Sequence, residues 1–185
     1  MKRILSIILI LAVTLCFSAC YKIDSNSKSD YSAFYDKMGS ILPETQSMFP
    51  HPEVMESIDD IYLYYSDYDL LDSFYTIYLE CSFTSESFET EKQRVHNECG
   101  PALLNSDSFS YESEYIEQFI EQDSDSFTNI QLSYVLFDKE NNKIIYVATF
   151  EKAYESKLKT SNIPSKYLPK ELNKLLDEES TDISI

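Results

Sequence analysis

His96 and Cys99 lie three residues apart in a segment rich in Glu, Lys, Gln and Arg, residues 85–99. On a helix this spacing places both on one side, where they could bind zinc or act as a thiol beside a base. Neither a third ligand at motif spacing nor an orienting acid accompanies them. The pattern therefore favours a surface histidine next to a core cysteine, and His51, between two prolines, has a weaker claim still.

Cys81 and Cys99 could form a disulfide if the domain folds outside the cytoplasm. If the chain turns near Thr84, Cys81 lies about 10 Å back along a strand and Cys99 roughly 20 Å back along a helix. A disulfide needs Cα atoms within about 7 Å of each other. The spacing favours two buried apolar thiols and leaves the disulfide as the alternative.

Acidic clusters at 67–69, 123–125 and 138–142 resemble calcium loops in composition. The last of them has Lys143 where an EF-hand needs Gly and Thr149 where it needs Glu, so all three are better explained as turns. The chain has only 2 glycines, too few for a phosphate-binding loop. We therefore expect no metal and no other cofactor.

Tyrosines are crowded around residues 62–78. Alternate residues of a strand share a face, so Tyr62 and Tyr64 could form a stacking platform for a sugar, a peptide or a partner protein. The alternative, which we favour because the chain has no tryptophan, is that these rings cover the second face of a sheet. The candidate contact surface consists of Tyr62, Tyr64, Tyr65 and Tyr68.

Two segments have the apolar spacing of helices. Residues 31–42 are preceded by Ser29 or Asp30 as the N-cap, and residues 85–99 carry a narrow apolar stripe. A short third helix is expected from Pro169 onward.

Strands are indicated by period-two alternation over 74–83, which we pair with 61–65 as a hairpin. A second hairpin is expected over 130–152, around the polar turn 138–143. Residues 111–122 fit both a helical template and a strand, and we favour the strand.

These elements predict an α+β fold, an antiparallel sheet of four to five strands, in two hairpins, packed with helices on one face. The predicted organisation is a signal peptide over 1–19, a polar tether over 20–30, a single domain over 31–176 and a disordered tail over 177–185.

The basic start, Lys2 and Arg3, followed by 14 mostly apolar residues over 4–17, is typical of a secretory leader. As a helix this run spans only about 21 Å, less than the roughly 30 Å of a bilayer core. Phe17 stands at −3 from a cut before Cys20, which breaks the pattern of ordinary signal peptidase sites.

Phe17-Ser18-Ala19-Cys20 resembles a bacterial lipobox, in which an aliphatic residue, two small residues and a cysteine follow one another. The resemblance implies that the Cys20 thiol is acylated and that Cys20 becomes the first residue after cleavage. Two acyl chains suffice for stable membrane anchoring. Cys16 is then one of the apolar residues of the leader and is not acylated.

Without residues 1–19 the chain retains 166 residues, with 13 basic and 32 acidic side chains and a net charge of −19. This length suits one domain. Such a charge disfavours nucleic acid as a partner and makes contact with an anionic membrane depend on the lipid.

The segments YTIYLECSFTSESFETEKQRV, NNKIIYVATF and SKYLP resemble uncharacterised lipoproteins of low-GC Gram-positive bacteria. That resemblance implies an intact domain and a host of this bacterial type, and no activity comes with it.

We expect a lipid-anchored protein on the extracytoplasmic side of the cell membrane that binds a protein or glycan, or acts as an accessory module of the envelope, and we favour a non-enzymatic role. The alternatives are a hydrolase in which His51 or His96 meets a carboxylate and a nucleophile, and a purely structural envelope component.

Overall fold

A computed structural model of the chain describes residues 21–42, 45–68, 74–99, 109–123, 126–151 and 162–170. In these ranges none of the helices combines the length and apolar character needed to cross a bilayer. The strands and α-helices follow one another as β1 (Tyr21–Ser25), α1 (Lys28–Ile41), β2 (Ile58–Tyr68), β3 (Phe74–Phe83), α2 (Ser85–Cys99), β4 (Glu112–Asp123), β5 (Ser126–Asp138) and β6 (Lys143–Glu151). Short 3₁₀ turns cover Gln46–Met48, Pro52–Ser57 and Ser165–Tyr167.

All six strands belong to one antiparallel sheet with the order β1-β2-β3-β6-β5-β4. The two predicted hairpins are β2–β3 and β5–β6, and β4 forms a third with β5. The strand that we favoured over 111–122 is therefore confirmed. The α+β class with an antiparallel sheet is confirmed as well.

The first face of the sheet, which we call the helix-covered face, lies under α1 and α2. Tyr31, Phe34 and Met38 of α1 and Phe88 and Val95 of α2 are buried there. Every second residue of the central strands points to the same core, as period-two alternation requires. The strand residues of this core include Leu63, Tyr65, Ile77, Leu79, Cys81, Val135 and Tyr146.

The opposite face, which we call the tyrosine face, has a second core. It contains Tyr64, Tyr78, Leu132, Tyr134, Leu136, Ile145 and Val147 from the strands, with Phe109, Ile163, Tyr167 and Leu168 from the connecting segments. The Tyr134 hydroxyl donates to the carbonyl oxygen of Tyr167 at 3.0 Å, so the only polar atom of that buried ring is satisfied. In the described ranges both α-helices lie on the other face, as predicted.

The polar segment 20–30 is not a tether beyond its first residue, and this prediction needs correction. Residues 21–25 form β1, which pairs with β2 from Tyr21 opposite Asp67 to Ser25 opposite Leu63. Among the described side chains of this strand, Ile23 packs against the core. A strand of five residues is too short to show a clear period, and its place in the sheet is determined by backbone pairing with β2.

Helix α1 begins at Lys28, earlier than predicted, because Ser27 rather than Ser29 or Asp30 is its N-cap. The Ser27 hydroxyl accepts the backbone N–H of Asp30 at 3.4 Å. The predicted leader, the tail 177–185 and the helix expected after Pro169 lie outside the described residues, except that Lys170 is helical.

The turn between β5 and β6 is built by side chains of the acidic cluster at 138–142, as predicted. Asp138 is buried and accepts the backbone N–H of Asn141 at 3.3 Å and its side-chain amide at 2.9 Å. Asn142 has φ of 50°, and its carbonyl oxygen accepts the Phe83 N–H at 2.9 Å. Asn is among the few residues that tolerate this left-handed conformation.

We expect Asn142→Val to lower the free energy of unfolding by about 1–2 kcal/mol relative to Asn142→Gly, because a β-branched residue is strained at positive φ. Both variants lose the side-chain contact from Asn142 to Ser85 at 3.3 Å, so their difference isolates the backbone conformation. Urea unfolding followed by circular dichroism measures it, since the chain has no tryptophan. Equal stability of the two variants would contradict the assigned turn.

Candidate functional site

The predicted tyrosine surface does not exist as a flat platform. Tyr64 and Tyr65 are both buried, and as neighbours in β2 they point to opposite faces of the sheet. Tyr62 is half-buried at the rim of the tyrosine face, and the side chain of Tyr68 lies outside the described atoms. The alternative explanation, in which these rings cover the second face of the sheet, fits Tyr64, whereas Tyr65 is buried under α1 on the helix-covered face.

Tyr62 is the described member of this set with an accessible ring. Its hydroxyl donates to Asp24 Oδ1 at 3.1 Å, and its ring meets the edge of Tyr78 at 5.9 Å between centroids. Burial and the hydrogen bond to Asp24 raise the pKa of Tyr62, so the phenol is neutral at physiological pH. The residue can contact a partner, but it is already used to fix β1 to β2.

The two histidines lie on different elements and are exposed. His51 Nδ1 accepts the backbone N–H of Glu53 at 3.3 Å and lies 3.6 Å from the Glu53 carboxylate, while its ring contacts Tyr35 edge-on. The described contacts of His51 thus include a carboxylate but no nucleophile. His96 lies on the solvent side of α2. The side chain of Cys99, which the sequence suggested as its companion in a zinc or thiol site, lies outside the described atoms.

Cys81 is a free thiol in the core, as the spacing argument favoured. Burial raises the pKa of Cys81 well above its usual value, with a smaller contribution from Glu91, so the group stays protonated and unreactive at neutral pH. Cys20 lies outside the described residues, directly before the first residue of β1.

The most elaborate polar arrangement in the described chain is one that the motifs did not indicate. Glu91 of α2 is only 4 % exposed, and its Oε1 accepts the hydroxyl of Tyr146 on β6 at 2.8 Å. Arg94 binds the same carboxylate with two donors, Nε to Oε2 at 2.9 Å and Nη2 to Oε1 at 2.6 Å. Glu91 and Arg94 both lie on α2, so this bidentate pair holds the carboxylate in place, and the Tyr146 hydroxyl is the group that joins the helix to the sheet.

Arg94 reaches three further acceptors. Nη1 donates to the Ser47 carbonyl at 2.8 Å and to Glu98 at 2.6 Å, and Nη2 donates to the Met48 carbonyl at 3.1 Å. A guanidinium has five N–H donors, and these contacts together use all of them. No donor of Arg94 is left for an anionic ligand, so the residue is structural.

The electrostatics of this cluster follow from its burial. Burial alone lowers the pKa of Arg94, but the hydrogen bonds and charge of Glu91 outweigh this effect and raise it. Burial raises the pKa of Tyr146 well above its usual value, and the neighbouring Glu91 charge adds to the shift. The cluster therefore keeps a neutral phenol and a charged guanidinium around the Glu91 carboxyl.

Sequence reasoning missed Glu91 although a signal was present. Phe88, Glu91 and Val95 recur at i, i+3 and i+7, so Glu91 falls on the apolar stripe of α2 rather than on its solvent side. A carboxylate in such a place needs a partner, and Arg94 stands one turn further along.

A concavity of about 610 Å³ runs along the outer side of α2. It is open to solvent, and its one cationic lining residue is Arg94, whose donors are all engaged. The lining consists of Glu89, Thr90, Gln93, Arg94, Asn97 and Glu98.

A second polar cluster lies on the tyrosine face around Glu80. Its carboxylate accepts the Tyr78 hydroxyl at 2.7 Å and the ammonium group of Lys143. Burial alone raises the pKa of Glu80, but the hydrogen bonds from Lys143 and Tyr78 outweigh it, and the pKa lies below its usual value. This cluster links β3 to β6.

The described residues contain no group of three or more His, Cys, Asp or Glu side chains arranged to hold a metal ion. No protein-family model matches the sequence, and no curated protein or solved structure is significantly similar to it.

We expect Arg94→Met to lower the free energy of unfolding by about 3–5 kcal/mol, because it leaves the buried Glu91 carboxylate without its cation. Gln93→Ala, an exposed change on the same helix, is the matched control and should cost less than about 0.5 kcal/mol. Combining Arg94→Met with Glu91→Leu removes both charges and should recover at least half of the loss. Urea unfolding measures all three, and an Arg94→Met variant as stable as Gln93→Ala would refute the assignment.

Glu80→Gln is expected to cost about 1 kcal/mol at pH 7 through weakening of the contacts to Lys143 and Tyr78. Because the folded-state pKa of Glu80 is lowered, its stabilisation is complete above the unfolded pKa of about 4.3 and is lost as the pH falls through the folded value. The difference between wild type and variant should therefore begin to shrink as the pH falls below about 4.3 and vanish only below the folded-state pKa of Glu80. Unfolding curves at several pH values test this, with the exposed Glu56→Gln as control. A difference independent of pH would exclude a charged Glu80.

Proposed function

We propose that this chain is a lipoprotein that is anchored through Cys20 and holds a binding or accessory domain on the extracytoplasmic side of the cell membrane. The observation that carries the proposal is the sequence Phe17-Ser18-Ala19-Cys20 at the end of a 14-residue apolar run. A basic start and a short apolar segment are typical of an exported leader, and small residues before a cysteine resemble the site at which a lipoprotein is acylated.

The positions and contacts of the polar side chains support a module that meets a partner at its surface. Glu91 is buried, Arg94 and Glu80 are half-buried, and all three are occupied by contacts within and between the helix and the strands. The side chains available to a partner are therefore those on open surfaces, such as Tyr62 and the outer side of α2. A protein or a glycan of the envelope, approached across such a surface, is the partner that we propose.

Anchoring is tested by metabolic labelling with an alkyne analogue of palmitate in a Gram-positive host, followed by membrane fractionation. We expect label and membrane association to be lost in Cys20→Ala, because that thiol receives the lipid. Cys16→Ala is the matched control, since it removes the other leader cysteine, and it should retain both. Equal labelling of Cys20→Ala and wild type, or wild-type protein that is unlabelled and in the medium, would refute the proposal.

A further inference from the structure

The two outermost strands of the sheet differ in length and in charge. β1 and β4 stand at the two ends of the strand order, so in the described ranges each of them pairs with a neighbouring strand on one side only. β1 has 5 residues, and its charged members, Lys22 and Asp24, are of opposite sign. β4 has 12 residues, of which five are acidic and none is basic. The longer and more strongly charged edge is therefore that of β4.

The edge of β4 includes a regular stretch of backbone. Its ladder with β5 is continuous from Ile116 opposite Tyr134 to Glu121 opposite Asn129, between two register shifts. In an antiparallel strand the N–H and C=O groups of alternate residues point to one neighbour, and those of the residues between them point to the other side. Half of the stretch therefore directs its donors and acceptors away from β5, over a length of about 20 Å. Such a row of backbone groups can pair with a further strand.

The sequence of β4 does not contain the residues that most often protect an edge from pairing. Lysine and proline are both absent from ESEYIEQFIEQD, and the strand is long. In the regular stretch Glu117 and Glu121 lie opposite Ser133 and Asn129, which are uncharged. The whole of β5 has no basic residue. The strand beside β4 therefore supplies no cation to these two carboxylates.

Glu112, at the start of β4, shows which groups meet a carboxylate of this strand where the chain provides them. It binds the ammonium groups of Lys92 from α2 and Lys139 from the turn between β5 and β6, each at 2.5 Å. Burial alone raises the pKa of Glu112, but the hydrogen bonds from Lys139 and Lys92 outweigh it, and the pKa lies below its usual value. Lysine side chains thus stabilise the ionised form of a carboxyl group at this edge.

We propose that the outer edge of β4 binds an extended segment of a partner protein that is rich in lysine or arginine and adds to the sheet as a seventh strand. Backbone hydrogen bonds to the regular stretch supply the affinity, and cations near Glu117 and Glu121 select the segment by its charge. These two residues are four apart, an even separation, so they suit cations at alternate positions of the segment. The inference rests on the proposed role as a binding domain and does not depend on the anchor.

Titration of the full chain with synthetic peptides tests the proposal. The protein is purified from the Gram-positive host in a non-ionic detergent, and binding of a fluorescent eight-residue peptide is followed by anisotropy. In this probe lysine alternates with valine or threonine. A second peptide has glutamate in place of each lysine. A third keeps the lysines but is methylated at every backbone nitrogen, so it has the same charge and no N–H group to donate.

We expect the lysine peptide to bind at least tenfold more tightly than either of the other peptides, because one of them meets like charges and the other loses several backbone hydrogen bonds. Hydrogen exchange read by mass spectrometry should slow over residues 112–123 when the lysine peptide binds, and it should not change over residues 21–25 at the opposite edge. Equal affinity for the methylated peptide would overturn the proposal, since attraction to an acidic chain would then explain the binding. Protection at 21–25 instead of 112–123 would overturn it as well.

Two variants with the same net charge show where the cations are bound. Glu117→Gln combined with Glu121→Gln should weaken binding of the lysine peptide about fivefold. The control, Glu53→Gln combined with Glu56→Gln, removes two exposed carboxylates next to β2, which is four strands and about 19 Å away from β4. It should change the affinity less than twofold. Equal effects of the two double variants would contradict binding at β4.

Palmitate labelling of the same preparations separates this proposal from the anchor. Labelled protein that does not bind the lysine peptide refutes only the added strand, and unlabelled protein that binds it refutes only the anchoring through Cys20. Protection over residues 112–123 that appears without peptide and grows with protein concentration would assign the edge to a second copy of the chain and overturn the proposal.

Discussion

The pairing of β3 with β6 is the interaction on which the rest of the structure depends. It extends from Tyr75 opposite Phe150 to Ser82 opposite Lys143, and it joins the strands that precede α2 to those that follow it. In the seam the Thr76 and Thr149 hydroxyls are 3.2 Å apart, and Thr149 also donates to the Tyr75 carbonyl. Without this ladder each half would be a three-stranded sheet with only part of either core.

Two charged clusters lie along this seam, one on each face. On the helix-covered face the Glu91 carboxylate of α2, held by Arg94 of the same helix, accepts the Tyr146 hydroxyl of β6. On the tyrosine face the half-buried Glu80 of β3 meets Lys143 of β6. A buried ion pair contributes little net stability by itself, because desolvation offsets the attraction. Another position of α2 would separate Glu91 from Tyr146 and Arg94 from the backbone carbonyls that it binds, so these contacts define where the helix lies.

Much of this architecture could be predicted from local sequence, and the limits have a physical cause. The strands β3, β5 and β6 could be predicted from alternation, because their residues point in turn to one core and to the other. β1 could not be predicted, since it has five residues and Ile23 is the apolar side chain described against the core. The opposite orientations of Tyr64 and Tyr65 were available from the same alternation rule. The burial of Tyr64, which excludes a platform formed with Tyr62, depends on the connecting segments packed over that face.

Spacing can reveal only part of the Glu91 cluster. The apolar stripe indicates that Glu91 needs a partner, and Arg94 at i+3 is close enough to supply the charge. The other contacts are distant in the chain: Tyr146 is 55 residues from Glu91, and the carbonyl acceptors of Arg94 are 46 and 47 residues away. Which residue of the sheet meets Glu91 depends on the order of the strands, a property of the whole chain.

The outer edge of β4 has a consequence for how copies of this protein coexist. In the part of the chain that the structure describes, β4 pairs with β5 on one side only, and a strand of 12 residues with an open side is a template for another strand. Its sequence, ESEYIEQFIEQD, carries five acidic residues. Where the β4 edges of two copies meet, their like charges repel each other. The acidity of this strand thus disfavours the joining of two sheets into one.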